Sequence, residues 1–231
     1  MKLELCAASL EAIQIAKELN FDRIELCQNL EQGGITPYYG MIEYALAYGI
    51  ETHVLIRPRP GGFHYNYDET EVMLREIINC KNMGAHGIVI GGLTQMGSID
   101  HDFLKRIMEK ARGMEVTFHR AFDDAVEWKR SIDTLVDCGV HRVLSSGLAR
   151  NVDFGFPVLK EMIAYSQDRI QIMVGGGVNA ANIAKIKEEL KPAAIHLSGT
   201  VKFQLDEDSL FSESILKVDK ARIMRMVDSV K

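Results

Sequence analysis

The chain has 231 residues, 47% of them hydrophobic and 26% charged, with a formal net charge of −5. That balance belongs to a globular chain large enough to bury a core without disulfide or metal staples. The negative sign argues against a nucleic-acid binder, which would show a basic face, and the absence of any apolar run of about 18 residues argues against a membrane-spanning helix. Glu4, Glu11 and Lys17 interrupt the first twenty residues, so no signal-peptide core is read there and a cytoplasmic protein is expected.

Short apolar strands recur along the chain, with helical stretches between them. In order they are expected over 2–6, 23–27, 52–57, 87–90, 115–119, 142–145, 170–174 and 194–197. Asn20, Gly84, Gly139 and Pro192 stop the helices that precede four of these strands, and links of two or three residues follow. Ser9 is expected to cap the first helix, with Thr36-Pro37, Asp68 and Asn179 opening later ones. Alternating strands and helices with short links make a parallel sheet. Eight such units in one domain of 231 residues point to a single-domain (β/α)₈ barrel of the TIM type. Residues 201–214 have the weakest pattern and read as a less regular, mobile loop before the C-terminal helix.

A doubly wound open sheet is the rival fold, and its strands would be apolar on both faces. Here several strands alternate: Leu3 and Leu5 oppose Glu4 and Cys6, Ile24 and Leu26 oppose Glu25 and Cys27, and Val116 and Phe118 oppose Thr117 and His119. One face meets helices and the other looks into a polar interior, which a closed barrel provides.

Chemistry in such barrels sits at the C-terminal strand ends. His119 carries the inward parity at the end of strand five and suits proton transfer near neutral pH, or else is a buried, hydrogen-bonded structural histidine. Glu25 is its expected carboxylate partner, and His196 can join from strand eight. Arg120 is expected to point away or into the loop. Asp123 either belongs to the catalytic set or, like Asp124, caps the next helix. Arg57 is placed inward, as a fork for a carboxylate or phosphate or as an interior salt bridge to Glu25 or Glu4. His53, Glu4 and Gln171 lie lower in the barrel. Gly175, Gly176 and Gly177 after strand seven, Ser198 and Gly199 after strand eight, and Arg59 on the Pro/Gly loop after strand three make a candidate anion site. Cys80 and Cys138 read as small apolar residues within helical segments. Cys6 and Cys27 end neighbouring strands with the same parity; they are either a pair suited to a soft ion such as Cu(I) or two buried free thiols. Neither a dinucleotide fingerprint nor a Schiff-base lysine at a strand end is present, so no organic cofactor is expected.

The stretches Arg23-Ile24-Glu25-Leu26-Cys27, Gly33-Gly34-Ile35-Thr36-Pro37, Ile56-Arg57-Pro58-Arg59 and Thr117-Phe118-His119-Arg120-Ala121-Phe122-Asp123 together form a specific signature. Ser145-Ser146-Gly147, Met173-Val174-Gly175-Gly176-Gly177-Val178 and His196-Leu197-Ser198 extend it across about residues 1–200. In these motifs the chain resembles the CutC family of copper-homeostasis proteins. The resemblance implies a TIM-type barrel, a cytoplasmic homo-oligomer, and copper binding or tolerance with Cys6 and Cys27 as the suggested Cu(I) ligands. The chain departs from the family pattern at Tyr38 and at Pro60-Gly61-Gly62-Phe63. Two cysteines do not account for the convergence of Glu25, Arg57, Arg59, His119 and three glycines at one barrel end. The alternative expectation is therefore an enzyme acting on a small anionic metabolite, phosphorylated or not.

Overall fold

The computed structural model describes residues 1–204 and 214–230. Eight parallel strands close into a barrel in sequential order: β1 (Lys2–Ala7), β2 (Arg23–Leu26), β3 (Thr52–Leu55), β4 (Gly87–Ile90), β5 (Glu115–Phe118), β6 (Arg142–Ser145), β7 (Gln171–Val174) and β8 (Ala194–Leu197). The helices between them are α1 (Leu10–Glu18), α2 (Tyr39–Ala47), α3 (Tyr67–Met83), α4 (His101–Lys110), α5 (Trp128–Asp137) and α6 (Val152–Ser166). A short α7 (Ile183–Lys185) runs on into a π-helical turn at Ile186–Leu190. Several observed strands stop one or two residues before the expected end, but the ladder continues there: Cys27 N–H donates to Ala7 O at 3.0 Å and His119 N–H to Ile90 O at 2.7 Å.

The core between barrel and helices holds the apolar face of every strand, including Leu5, Ile24, Val54, Ile88, Val116, Val143, Ile172 and Ile195. The opposite faces fill the barrel itself. Cys6, Cys27, Leu55 and Val89 form one interior cluster, and Leu144, Met173 and Ala194 another. Below them lies a charged layer. Arg142, almost fully buried, donates to Thr117 Oγ1 at 2.9 Å, Glu115 Oε2 at 2.8 Å and Gln171 Oε1 at 3.1 Å. Interior polarity of this kind is the alternation visible in the sequence.

Ser9 caps α1 by accepting from Ala12 N–H at 3.1 Å. Three other expected helix starts are corrected. Thr36 Oγ1 accepts instead from the Arg57 backbone N–H at 2.8 Å, and α2 begins after Tyr38 with no side-chain cap. Asp68 lies inside α3, whose start is a capping box of Asn66 and Glu69. Asn179 closes a turn onto Ala181 N–H, ahead of α7. The segment expected as a loop over 201–214 is entered and left by an antiparallel ribbon of β9 (Thr200–Gln204) and β10 (Ser214–Val218), while the rest of it, 205–213, lies outside the described residues. The C-terminal helix α8 (Lys220–Asp228) follows. No helix among the described residues is long and apolar enough to cross a membrane.

Candidate functional site at the mouth of the barrel

A cavity of about 480 Å³ opens at the C-terminal ends of the strands. That volume lies within the range of small-molecule sites. Cys6, Glu25, Cys27 and His196 line it from β1, β2 and β8. Arg57 and Phe63 enter from the loop after β3, His119 and Arg120 follow β5, Gly176 and Gly177 follow β7, Ser198 follows β8, and Arg222 reaches in from α8.

The closure of β8 onto β1 sets the charge pattern. Its register pairs Glu4 with His196 and Leu5 with Leu197, and the β1–β2 register pairs Glu4 with Arg23 and Cys6 with Glu25. Glu4 and Arg23, both fully buried, make a direct ion pair. The other Glu4 oxygen lies 2.7 Å from His196 Nδ1, and His196 Nε2 lies 3.3 Å from Glu25 Oε2. One imidazole thus bridges two carboxylates. Burial acts to raise the Glu4 pKa, but His196 and Arg23 outweigh it and hold Glu4 well below the usual carboxylate range. Burial pushes Glu25 up to about 7, against the pull of His196 and with the help of the Glu4 charge. Burial acts to lower His196, but Cys6, Glu4 and Glu25 together hold it well above 6.5. Glu25 is therefore poised to exchange a proton at neutral pH beside a cationic imidazole.

The two thiols lie at the same cavity wall, with Cys6 Sγ and Cys27 Sγ 3.7 Å apart and both residues buried. Their proximity, together with burial, raises the Cys6 pKa well above 9.0. Ligand atoms of Cys6, Glu25 and His196 all lie within 4.8 Å of one another.

His119 holds a different state. Its Nδ1 accepts from Ala121 N–H at 3.0 Å, so the ring proton sits on Nε2, a buried atom with no protein partner. Burial first, and the Arg57 charge second, bring its pKa down to about 3. His119 is thus a neutral imidazole whose Nε2–H is buried and unpaired beside the cavity. Its expected partnership with Glu25 is corrected: among the described residues no carboxylate lies within 4.0 Å of His119, and Glu25 pairs with His196.

Arg57 lines the cavity, but neither expected ion pair forms. Its Nη1 donates to Gly33 O at 3.1 Å and Gly34 O at 2.8 Å, and its Nη2 to Gly61 O at 2.7 Å, so the side chain clips the loops after β2 and β3 together. Its Nε is buried without a partner. Arg59 does not join the glycines; its guanidinium pairs with Glu69 and donates to His64 O at 2.9 Å. Asp123 caps no helix and does not line the cavity. One of its oxygens accepts from Ser145 Oγ at 2.6 Å and from the N–H groups of Ser146 and Leu148. The other accepts from Ser146 Oγ at 2.9 Å and from Arg120 Nε at 2.8 Å. It positions the β6 loop and Arg120.

Arg120, expected to point away or into the loop, reaches the loop after β6 at Ser146 Oγ, 2.7 Å away, and lines the cavity as well. A Cβ on Gly176, whose φ is +93, would stand 3.0 Å from the Arg120 guanidinium carbon, so glycine admits that side chain. Among the described residues, no protein group accepts from the N–H groups of Gly176 or Gly177. Gly175 and Gly199 play packing roles. The first makes room for Leu144 and His196, the second for Ile223 of α8. Sequence reasoning missed Arg120 and Arg222. Strand parity stops applying once the chain enters the 3₁₀ turn Arg120–Asp124, and nothing in the sequence ties α8 to the barrel mouth.

The model of the CutC family matches residues 1–201. The chain belongs to the CutC family. A family protein CutC from Glaesserella parasuis serovar 5 is 38% identical over 232 residues, covering 100% of this chain and 96% of the relative. One from Pasteurella multocida is 40% identical over 200 residues, 86% of this chain and 82% of the relative. The crystal structure of CutC from Streptococcus agalactiae superposes with a TM-score of 0.81 at 35% identity, covering 85% of this chain and 98% of that one. The family match ends at residue 201 and so takes in every cavity residue named above except Arg222.

Proposed function

We propose that this CutC protein serves copper homeostasis in the cytoplasm by taking Cu(I) as cargo between Cys6 and Cys27. The S. agalactiae relative carries the name of a copper homeostasis protein. The observation that carries the reading is the pair of buried thiols 3.7 Å apart on a cavity wall. Soft thiolates select Cu(I) over the hard ions of the cell. Glu25 and His196 offer further ligand atoms within 4.8 Å of Cys6 Sγ, the imidazole only once it has given up its proton. Anaerobic Cu(I) titration against a chelator tests this. The native chain is expected to bind one ion, and Cys6→Ser/Cys27→Ser none. Undiminished affinity in the folded double variant refutes the assignment.

A second reading rests on a separate observation. Gly176 lies against Arg120, and among the described residues the N–H groups of Gly176 and Gly177 have no protein acceptor, at a cavity that Ser198 and Arg222 also line. That grouping suits a small anion such as a phosphoryl group. Beside it, Glu25 would carry a proton. The reaction class is proton transfer on a small anionic metabolite. Inorganic phosphate is expected to raise the melting temperature of the native chain and to lose that effect in Arg120→Gln. Equal stabilisation of both proteins, or of neither, speaks against it.

A further inference from the structure

The N-terminal end of the barrel carries a second group of ligand-type side chains, sharing no residue with the cavity. Glu51 immediately precedes β3, His53 is its second residue, and Glu115 opens β5. Strand β4 runs between them, and its Gly87 is in register with both His53 and Glu115. A Cβ on Gly87 would stand 2.8 Å from the His53 ring and 2.7 Å from the Glu115 carbonyl oxygen. The missing side chain lets the imidazole lie across β4 and reach β5.

His53 is fully buried, and neither ring nitrogen makes an aligned hydrogen bond. A buried imidazole left in that state is costly. Its Nε2 nevertheless lies 3.3 Å from Glu51 Oε1 and 3.8 Å from Glu115 Oε2. Two donors bound to one tetrahedral ion at about 2.0–2.2 Å are separated by roughly 3.3–3.6 Å; the Glu51 gap falls in that range, the Glu115 gap is slightly wider, and the three ligand atoms all lie within 4.8 Å of one another. The Glu51 and Glu115 side chains are 30% and 43% exposed, which leaves a route for an ion and room for a water ligand.

We propose that Glu51, His53 and Glu115 form a divalent-cation site for Zn²⁺, tying β3 to β5 across β4. The charge balance chooses the ion. Lys2 Nζ stands 3.5 Å from Glu51 Oε2 and Arg142 Nη2 2.8 Å from Glu115 Oε2, so the two carboxylates are already balanced and held in place. Hard, oxygen-seeking Mg²⁺ and Ca²⁺ gain little there, whereas a neutral imidazole nitrogen is a preferred ligand of Zn²⁺.

The test uses the full-length chain carrying Cys6→Ser/Cys27→Ser, which removes the cavity thiols as competing ligands; Cys80 is buried and Cys138 half-buried. Calorimetric titration is expected to show one Zn²⁺ per chain and a rise in melting temperature, with no response to Mg²⁺ at the same concentration. Adding Glu115→Gln or Glu51→Gln, both at partly exposed positions, is expected to weaken Zn²⁺ binding at least tenfold. Co²⁺ is expected to give a visible absorption spectrum of a four-coordinate ion in the parent and not in the Gln variants. No binding in the parent, or Zn²⁺ affinity unchanged by both Gln substitutions, means an ion pair only and overturns the proposal.

Discussion

The state of His119 can be tested through the pH dependence of stability. Burial and the Arg57 charge lower its pKa from 6.5 to about 3. In the unfolded chain the imidazole binds a proton as pH falls below 6.5, while the folded chain does not until about 3. The unfolded state therefore holds more protons across that window, and stability falls as pH falls through it. From about pH 7 to about pH 5 the linkage integral for this one group comes to about 2 kcal/mol. Other groups titrate as well, so the informative quantity is the difference between the native chain and His119→Gln. Urea denaturation of both proteins at about pH 7, about pH 6 and about pH 5 measures it. Relative to the variant, the native chain is expected to lose about 2 kcal/mol between the ends of that range. A difference that does not change with pH would show that His119 titrates like a solvated histidine, and its neutral buried state would be refuted.

Three further outcomes follow from the interior. Glu4→Gln leaves the fully buried Arg23 without its carboxylate, and a loss of about 3–5 kcal/mol is expected in chemical denaturation; a loss below about 1 kcal/mol contradicts the account of the network. Asp123→Asn removes the charge that accepts from Ser145, Ser146, Leu148 and Arg120. It is expected to cost about 1.5–3 kcal/mol and to speed amide exchange at Ser146 and Leu148, whereas unchanged exchange would mean that the loop holds itself. Gly87→Ala puts a methyl group 2.7 Å from the Glu115 carbonyl oxygen, with an expected cost of about 1–3 kcal/mol by thermal melting; a neutral result would mean that β4 shifts freely.

Much of this site was legible because strand alternation is a rule about faces. Once Glu25, Cys6, Cys27 and His119 share the polar face of their strands, closure of the sheet brings them to one cavity, and all four line it. Alternation does not say which inward neighbours touch. The pairing of Glu25 with His196 depends on the β8–β1 seam, which joins the two ends of the sequence. Residues beyond the strand ends escaped for a different reason. Arg59 is drawn off by Glu69 at the start of α3, and Arg120 turns inward on a 3₁₀ turn that Asp123 braces. The expected caps failed where a better local partner existed, as at Asn66, which offers its side chain to Glu69 N–H while Asp68 sits two residues too far in.

Copper is expected to go to the thiols at the cavity wall. Crystals of the Cu(I)-loaded protein, measured on both sides of the copper absorption edge, test it most directly. The account predicts one anomalous peak between Cys6 Sγ and Cys27 Sγ, on the side facing His196. A peak elsewhere, or none in crystals of protein shown to carry copper, contradicts it.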